Sequence, residues 1–249
     1  MSEKFKISNL DLYYGDFHAL KDINMSIHAN EITAFIGPSG CGKSTLLTML
    51  SGLTQPEKGT ISIDGAPLSK AHSAIGYMLQ KDHLFEWRNI FSNISLGLEI
   101  QKRLDEPARL ELLDMMSAYG LAGFEYAKPS ELSGGMRQRA ALIRTLALKP
   151  DILLLDEPFS ALDMLTKKSV HNWYLKVMDE IHLSTLFITH DIDEAILLSD
   201  RIYLLTGRPG RITEELIIKE TKPRDRDFGL TEEFLEYKRH ILRHLETTA

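Results

Sequence analysis

The sequence predicts an α/β fold built on a parallel β-sheet that helices cover on both faces. Apolar runs of strand length alternate with segments of helical spacing along most of the 249 residues. The run Ile152–Leu155 holds only Ile and Leu, which is typical of a strand buried on both faces. A glycine-rich turn at residues 37–44 connects another apolar run to a helical segment. These three observations indicate one large α/β domain.

Residues 1–80 predict short strands separated by polar turns. Five segments have the apolar spacing of strands: Phe5–Leu12, Ile23–Ile27, Ile32–Ile36, Thr60–Ile63 and Ile75–Leu79. One helix is expected among them, at Ser44–Leu50, because three leucines recur there at helical spacing. Gly52 is the expected end of that helix.

The pattern changes to helical spacing from about Asn89 to Lys149. Pro107 fits the first turn of a helix, where its missing N–H is not needed. After this helical block, strands are expected at Ile152–Leu155, Thr185–Thr189 and Ile202–Leu205, with a helix at Ile192–Leu198. Strands that alternate with helices in this way indicate parallel pairing.

Residues 221–249 are expected to follow the main domain as a linker and a final helix. The stretch Lys219–Asp227 is charged and poor in apolar residues, which is typical of a linker. An amphipathic helix should come next, with an apolar face formed by Phe234, Tyr237, Ile241, Leu242 and Leu245. We therefore assign residues 1–220 to the main domain. Docking of the last helix onto that domain and contact with a second copy are equally open.

Composition and charge exclude several classes of protein. Lys and Arg number 29 against 35 Asp and Glu, a net charge of −6, so no nucleic-acid partner is expected. The single cysteine, Cys41, excludes an intrachain disulfide framework. The first residues lack the apolar core of a secretory signal, and no apolar stretch is long enough to span a bilayer. We expect a soluble protein of a reducing compartment.

The glycine-rich turn reads Gly-Pro-Ser-Gly-Cys-Gly-Lys-Ser and matches the phosphate-binding pattern G-x-x-x-x-G-K-[ST]. Its glycines let successive backbone N–H groups face one anion, together with the start of the following helix. Lys43 should reach the terminal phosphates of ATP or GTP, Ser44 should coordinate Mg²⁺, and Thr45 should add a hydrogen bond. The alternative, a Gly/Ser turn with a chance lysine, does not explain its position between a strand and a helix. The predicted cradle comprises Gly37, Pro38, Ser39, Gly40, Cys41, Gly42, Lys43, Ser44 and Thr45.

A second glycine pair lies in the run Leu-Ser-Gly-Gly-Met-Arg-Gln at residues 132–138. Ser133 is a good N-cap, and Gly134 and Gly135 allow a ligand to approach the start of the helix closely. The run therefore predicts a second anion-binding helix terminus on the same chain. A merely flexible helix start would explain one glycine but not the whole run.

These residues resemble the signature of the ATP-binding-cassette (ABC) superfamily. Its other motifs follow in the family's order: Tyr14 for adenine stacking, Gln80, Asp156 and Glu157 after a hydrophobic strand, Ser160–Asp163 as the loop that crosses between subunits, and Thr189–Asp191 around a switch histidine. The resemblance covers about residues 5–220. It implies a P-loop NTPase (RecA-like) core with a parallel sheet, an N-terminal antiparallel β subdomain and an inserted helical subdomain at about residues 89–149.

The resemblance also implies a role for each matching residue. Glu157 would polarise the water that attacks the γ-phosphate of ATP, and His190 would contact both that phosphate and Glu157. Mg²⁺ would be held by Ser44, Gln80 and Asp156. The candidate catalytic residues are therefore Lys43, Gln80, Glu157 and His190.

In this family the signature of one subunit covers the phosphates bound to the other. Ser133, Gly134, Gly135, Gln138 and Asp163 are therefore expected to contact ATP, with Ser133 and Gly135 acting across the interface. This implies a homodimer that closes around ATP and opens after hydrolysis.

A single cassette without membrane spans resembles the ATPase subunit of a bacterial or archaeal importer, whose pore is formed by separate permease chains. The resemblance implies a peripheral position on the cytoplasmic face of the cell membrane and a substrate-binding protein in the same system. The helical block from about Asn89 to Lys149, together with residues 81–90, here called the contact segment, is where such cassettes receive a permease helix. Leu84, Phe85 and Trp87 are candidates for an apolar socket there, unless they are buried in the cassette's own core.

The cargo can be inferred only from lineage. Asp191–Arg201, Gly207–Ile212 and Trp87-Arg88 look like the nitrate/sulfonate/taurine branch of importers, which also includes carriers of pyrimidine vitamin precursors and riboflavin. The expected cargo is an organic anion or a small pyrimidine-type nutrient. Two other functions are weighed against the importer: a soluble ABC ATPase that remodels a macromolecular complex, and a small-molecule kinase with the same phosphate loop.

Overall fold

The computed structural model describes residues 3–70, 75–160, 162, 164–222, 224 and 227–248. The strands are β1 Glu3–Tyr14, β2 Phe17–His28, β3 Ile32–Ile36, β4 Lys58–Ile63, β5 Ala66–Pro67, β6 Ile75–Met78, β7 Ile152–Asp156, β8 Ser184–Ile188, β9 Arg201–Thr206 and β10 Arg211–Ile217. The helices are α1 Lys43–Leu50, α2 Ile90–Ile94, α3 Leu96–Ile100, α4 Glu106–Ala118, α5 Gly134–Leu146, α6 Met164–Ile181, α7 Ile192–Leu198 and α8 Glu232–Thr248.

The strands form two sheets. The larger has the order β10-β9-β3-β8-β7-β6 and is parallel except for the antiparallel pair β9 and β10. Every residue of β3, β7 and β8 is buried, which explains why these strands are mostly apolar, with Thr33, Asp156, Ser184 and Thr185 as their polar residues. The smaller sheet, β2-β1-β4-β5, is antiparallel. The predicted α/β fold, with a parallel sheet and an antiparallel β region near the N-terminus, is confirmed.

The central strands send alternate side chains to two separate cores. On β7, Leu154 joins a core shared with α1 and the antiparallel sheet, whereas Leu153 and Leu155 join a core shared with the remaining helices. Because β6, β7 and β8 are parallel neighbours, their carboxyl ends meet at one edge of the sheet. Side chains that follow these strands in the sequence are thereby brought together in space.

Helix α6, strand β10 and the two-residue strand β5 were not predicted from the sequence. Helix α6 carries buried Val170, Tyr174 and Val177 at helical spacing, a stripe that was present in the sequence but overlooked. Strand β10 alternates exposed and half-buried positions, so it lacks the apolar run that marked the other strands. In the helical block, α4 begins as expected, with Pro107 in its first turn and the Asp105 carboxylate accepting from the N–H of Ala108 at 3.0 Å.

The last helix packs onto the main domain. Phe234 and Ile241 are buried, and α8 lies against α7 and β9. The preceding segment is also fixed, because the Arg224 guanidinium donates to the carbonyl oxygens of Ile196, Leu197 and Ser199 at the end of α7. Residues 223, 225 and 226 of the expected linker lie outside the described residues. Within the described part of the chain, none of the helices combines the length and apolar composition that crossing a bilayer requires.

Replacing Ile241 by Ala should destabilise the protein by about 2–5 kcal/mol, because the side chain is fully buried and its truncation leaves a cavity. Urea denaturation of both proteins would measure the change in the free energy of unfolding. Leu242→Ala is the matched control, since Leu242 is the next residue on the same helix and is 41% exposed. Equal losses in the two variants would show that α8 does not dock on the domain in solution.

Candidate functional site

The phosphate loop joins the end of β3 to the start of α1. Lys43 is buried, and its Nζ donates to the carbonyl oxygens of Gly37 at 2.7 Å and Pro38 at 2.9 Å. Gly42 precedes α1 with φ 100°, and a Cβ there would come 2.7 Å from Leu20 Cδ2. The left-handed backbone therefore favours glycine at residue 42, and a Cβ there would also displace the Leu20 side chain. The Lys43 side chain therefore folds back onto the loop that precedes it in the chain.

Ser44, in the first turn of α1, lies next to the end of β7. Its Oγ donates to Asp156 Oδ1 at 3.2 Å, and Asp156 is buried. Burial raises the pKa of Asp156; the Ser44 hydrogen bond opposes that shift, and the neighbouring Glu157 adds to it. Two adjacent carboxylates, one of them buried, form a place where a cation would relieve electrostatic repulsion. Ser44 and Asp156, predicted separately from the sequence, are thus brought into contact.

Glu157 is the meeting point of three strand ends. Its Oε2 accepts a hydrogen bond from Gln80 Nε2 at 3.0 Å and lies 3.3 Å from His190 Nδ1. Gln80 follows β6, and His190 follows β8, so both reach Glu157 from strands that flank β7. Glu157 has φ 46°, and its N–H donates to the carbonyl of Ile188 at 3.0 Å. A non-glycine residue held in the left-handed region is a form of backbone strain that clusters at functional sites.

The second glycine pair opens helix α5. Ser133 is the N-cap, and its Oγ accepts from the N–H of Met136 at 3.3 Å, while Ser133 and Gly134 are exposed and Gly135 is buried. Gln138 points into the protein: it lines a narrow cleft with Phe159, and its Oε1 has no hydrogen-bond partner in the described structure. No hydrogen bond or ion pair between described residues joins Ser133 or Gly134 to residues 37–45.

The remaining predicted ligand contacts are Tyr14, Thr45 and Asp163. Tyr14 ends β1 and is half exposed, so its ring is accessible for stacking. Thr45 lies in the first turn of α1 beside Ser44. Asp163 lies outside the described residues.

The ion pairs that hold the contact segment on α5 were not predicted from the sequence. Arg137 Nε donates to Asp82 Oδ2 at 2.8 Å, and its Nη2 donates to Asp82 Oδ1 at 3.1 Å and to Glu86 at 2.9 Å. Burial would raise the pKa of Asp82, but hydrogen bonds from Arg137 and the Leu84 N–H outweigh it and lower that pKa. Arg144, two turns further along α5, donates to the carbonyl oxygens of Asp82 and His83. Two arginines seven residues apart on one helix face were the available signal.

Comparison with known proteins identifies the family of this chain. A family model described as ABC transporter matches residues 20–160, more than half of the chain. An uncharacterized ABC transporter ATP-binding protein of Methanocaldococcus jannaschii is 41% identical over 99% of this chain and 92% of its own. The chain belongs to the ABC transporter ATP-binding family. ABC ATP-binding proteins are ATPases coupled to transport, so this ABC cassette hydrolyses ATP to ADP and phosphate.

Relatives with named transport roles are similarly close to the ABC cassette. The nitrate import ATP-binding protein of Synechocystis sp. is 40% identical, over 91% of this chain and 88% of its own. The taurine import ATP-binding protein of Yersinia pestis is 39% identical, over 84% of this chain and 82% of its own.

Solved structures of the family share the fold. The cbiO1 protein of Clostridium perfringens, part of the ABC transporter complex cbiONQ, superposes with a TM-score of 0.81 at 27% identity, covering 97% of this chain and 100% of its own. A dimeric ATP-binding cassette in a post-hydrolysis state, bound to ADP and phosphate, superposes with a TM-score of 0.74 at 29% identity, covering 87% of this chain and 100% of its own.

Proposed function

We propose that this ABC cassette energises an importer of a small nutrient, either a nitrate-, sulfonate- or taurine-like anion or a pyrimidine-type vitamin precursor, through ATP-driven closure of a homodimer. The observation that carries the proposal is the convergence of Gln80 and His190 on Glu157, beside the Ser44–Asp156 contact. The nitrate and taurine import relatives support the direction of transport and the class of cargo.

The residues present fit ATP with Mg²⁺. The phosphate loop supplies backbone N–H groups and the Lys43 ammonium, which would exchange its two carbonyl partners for phosphate oxygens. Ser44, Asp156 and Gln80 offer three oxygen ligands of the kind Mg²⁺ prefers, and Mg²⁺ when bound would neutralise phosphate charge. The described residues contain no cluster of three or more His, Cys, Asp and Glu side chains that could hold a metal. A site with few protein ligands suits a cation that also binds nucleotide phosphates.

Glu157 is the residue we propose to orient the attacking water. Gln80 donates to Glu157 Oε2 and His190 lies beside the same oxygen, which leaves Oε1 available to accept a hydrogen bond from water. The water oxygen forms a bond to the γ-phosphorus in line with the leaving group while one of its protons passes to Glu157. The bond between that phosphorus and the β–γ bridging oxygen breaks, and the bridging oxygen leaves with ADP. Lys43 and the loop N–H groups stabilise the charge on the phosphate oxygens.

A second copy of the chain completes each site in this proposal. The exposed start of α5 at Ser133 and Gly134 makes no hydrogen bond to the phosphate loop of its own chain among the described residues, which leaves it available to ATP held by a partner copy. The dimeric cassette with ADP and phosphate supports this arrangement. ATP would favour the closed dimer, and hydrolysis would remove that preference.

The contact segment supports docking to a permease at the cytoplasmic face of the membrane. Leu84 is buried in the cassette's own core, whereas Trp87 is 73% exposed and stacks on Phe85 with ring centroids 4.7 Å apart. The apolar socket proposed for a permease helix is thus reduced to Phe85 and Trp87. Both rings lie in a loop that Arg137 and Arg144 fasten to α5, with Phe85 half-buried beneath the exposed Trp87. An exposed tryptophan supported in this way is typical of an interface hot spot. A substrate-binding protein outside the membrane would complete the importer.

Trp87→Ala should weaken co-purification with the permease in detergent by about tenfold or more, because it removes the largest exposed aromatic of the contact segment. The measurement is the amount of polytopic membrane protein retained by the tagged cassette. Leu230→Ala is the control, since Leu230 is 82% exposed but lies outside the contact segment. Full retention by Trp87→Ala would remove the socket, and repeated isolation of the unmodified chain without a membrane protein would contradict the importer proposal itself.

A further inference from the structure

A buried carboxylate binds the residue that precedes the switch histidine, His190. Glu194, in the first turn of α7, is 3% exposed, and its Oε2 accepts a hydrogen bond from Thr189 Oγ1 at 2.5 Å. Thr189 is the residue before His190, so this bond fixes the backbone on one side of the histidine. The other carboxylate oxygen, Oε1, lies 2.5 Å from Lys167 Nζ.

Lys167 also fixes the backbone on the other side of His190. Its Nζ donates to Asp191 Oδ2 at 2.8 Å, while Asp191 Oδ1 caps α7 by accepting from the N–H groups of Asp193 and Glu194. One ammonium therefore joins the two acidic residues that hold the segment 189–191 in place. The Asp191 N–H closes this arrangement by donating to Thr189 Oγ1 at 3.0 Å.

All three groups are held in their charged forms. Burial would lower the pKa of Lys167, but hydrogen bonds to Asp191 and Glu194 outweigh it and raise that pKa. Burial would likewise raise the pKa of Asp191, but hydrogen bonds, above all the one from Lys167, outweigh it and lower that pKa. Burial would also raise the pKa of Glu194, and hydrogen bonds from His171 and Lys167 lower it. Removing the lysine would take from the buried Glu194 carboxylate one of its two basic partners, and from Asp191 its ion pair, which destabilises the local arrangement.

Lys167 lies in the first turn of helix α6, which begins at Met164. The segment Ser160–Asp163 precedes this helix directly, and it is the segment expected to cross to the partner copy. A second contact runs to the catalytic strand end, because His171 lies 3.4 Å from Glu194 and packs edge-on against Phe159, two residues after Glu157. The ionic cluster thus connects the start of α6 with both sides of His190.

The geometry points to Lys167 as a positioning residue for His190, which transmits the position of the start of α6 to the switch histidine. This inference rests on the proposed ATP-driven dimer, in which the segment before α6 meets the partner copy. Lys167 does not touch the reacting atoms. It acts through Asp191 and Glu194, so its removal should alter the chemical step and leave ATP binding unchanged.

The first test is the steady-state ATPase kinetics of Lys167→Met. We expect kcat to fall roughly tenfold with KM within about twofold of the unmodified protein, since a small misplacement of a catalytic group lowers the rate of the chemical step. Lys167→Arg should restore most of the rate, because it keeps the charge between the two carboxylates. Lys176→Met is the matched control: the same substitution on the same helix, at a side chain 76% exposed and 3.8 Å from Glu180. A change in KM alone, or an equal loss in the control, would overturn the inference.

A double-mutant cycle with His190→Ala tests whether Lys167 acts through the histidine. In single-turnover assays, Lys167→Met should lower the rate less than about twofold when His190 is already absent. The same roughly tenfold loss in both backgrounds would overturn the inference. If Lys167→Met does not fold, Thr189→Val replaces it, because it removes the hydroxyl that joins Glu194 and the Asp191 N–H without changing charge.

The unmodified protein separates this inference from the function on which it rests. If the unmodified protein does not hydrolyse ATP and the Glu157→Gln variant does not dimerise with ATP, the proposed function fails and the inference falls with it. If both activities are present and Lys167→Met hydrolyses ATP at the same rate as the unmodified protein, only the inference about Lys167 is overturned.

Discussion

Replacing Glu157 by Gln should lower the ATPase turnover by about 100- to 10,000-fold, the range expected when a general base is removed. The amide keeps the size of the side chain and its place between Gln80 and His190 but does not polarise water as a carboxylate does. Phosphate release at saturating ATP and Mg²⁺ measures the effect. The same variant should accumulate an ATP-bound dimer on size-exclusion chromatography, since hydrolysis no longer removes the ligand that favours closure.

Glu236→Gln makes the same chemical change at an exposed position on α8 and is the control. It should retain normal turnover and stay monomeric under the conditions that make Glu157→Gln dimerise. Unchanged turnover in Glu157→Gln, together with a monomeric elution volume, would contradict both the catalytic role and the composite site. A dimer only on addition of detergent-solubilised membranes would assign closure to the permease subunits.

Replacing Lys43 by Ala should weaken ATP binding by about 10- to 100-fold, because a hydrogen bond to a charged group contributes about 1.5–3 kcal/mol and each 1.4 kcal/mol is a factor of ten. The loop itself should also loosen, because Lys43 Nζ holds the carbonyl oxygens of Gly37 and Pro38. Isothermal titration calorimetry with ATP and Mg²⁺ measures the affinity directly.

Lys176→Ala removes an equal charge at an exposed position and should bind ATP as the unmodified chain does. Unaltered affinity in Lys43→Ala would mean that residues 37–45 do not hold the phosphates. Thermal unfolding without nucleotide distinguishes a local loosening of the loop from a general loss of structure.

Much of the fold could be predicted because the central strands β3, β7 and β8 are buried on both faces. The run Ile152–Leu155 became strand β7 with one further residue, Asp156, and the prediction of parallel pairing followed from the alternation with helices. Strand β10 was missed for the opposite reason, since only one of its faces is covered and half of its residues are polar. Its pairing with β9 depends on a contact that hydrophobic spacing does not report.

The same distinction holds for the candidate site: residues that belong to local motifs were predicted, and ion pairs between distant parts of the sequence were not. Lys43, Ser44, Asp156 and Glu157 were named because local motifs specify them, and the structure brings Ser44 to Asp156 and Gln80 to Glu157. Their contacts with ATP and Mg²⁺ stay predictions. The ion pair that holds the contact segment on α5 was not predicted, because its two members are far apart in sequence: Arg137 is 55 residues from Asp82. No periodicity within one segment specifies such long-range pairs.

Helix α5 connects two surface features of the molecule, the exposed Ser133 and the contact segment. Its first turn presents Ser133 at the surface, and Arg137 and Arg144 grip the segment that carries Trp87. A helix of 13 residues is a rod about 20 Å long. Because Arg137 and Arg144 fasten the contact segment to this one helix, a shift of Trp87 has to move α5, and Ser133 with it, or break the Arg137–Asp82 ion pair.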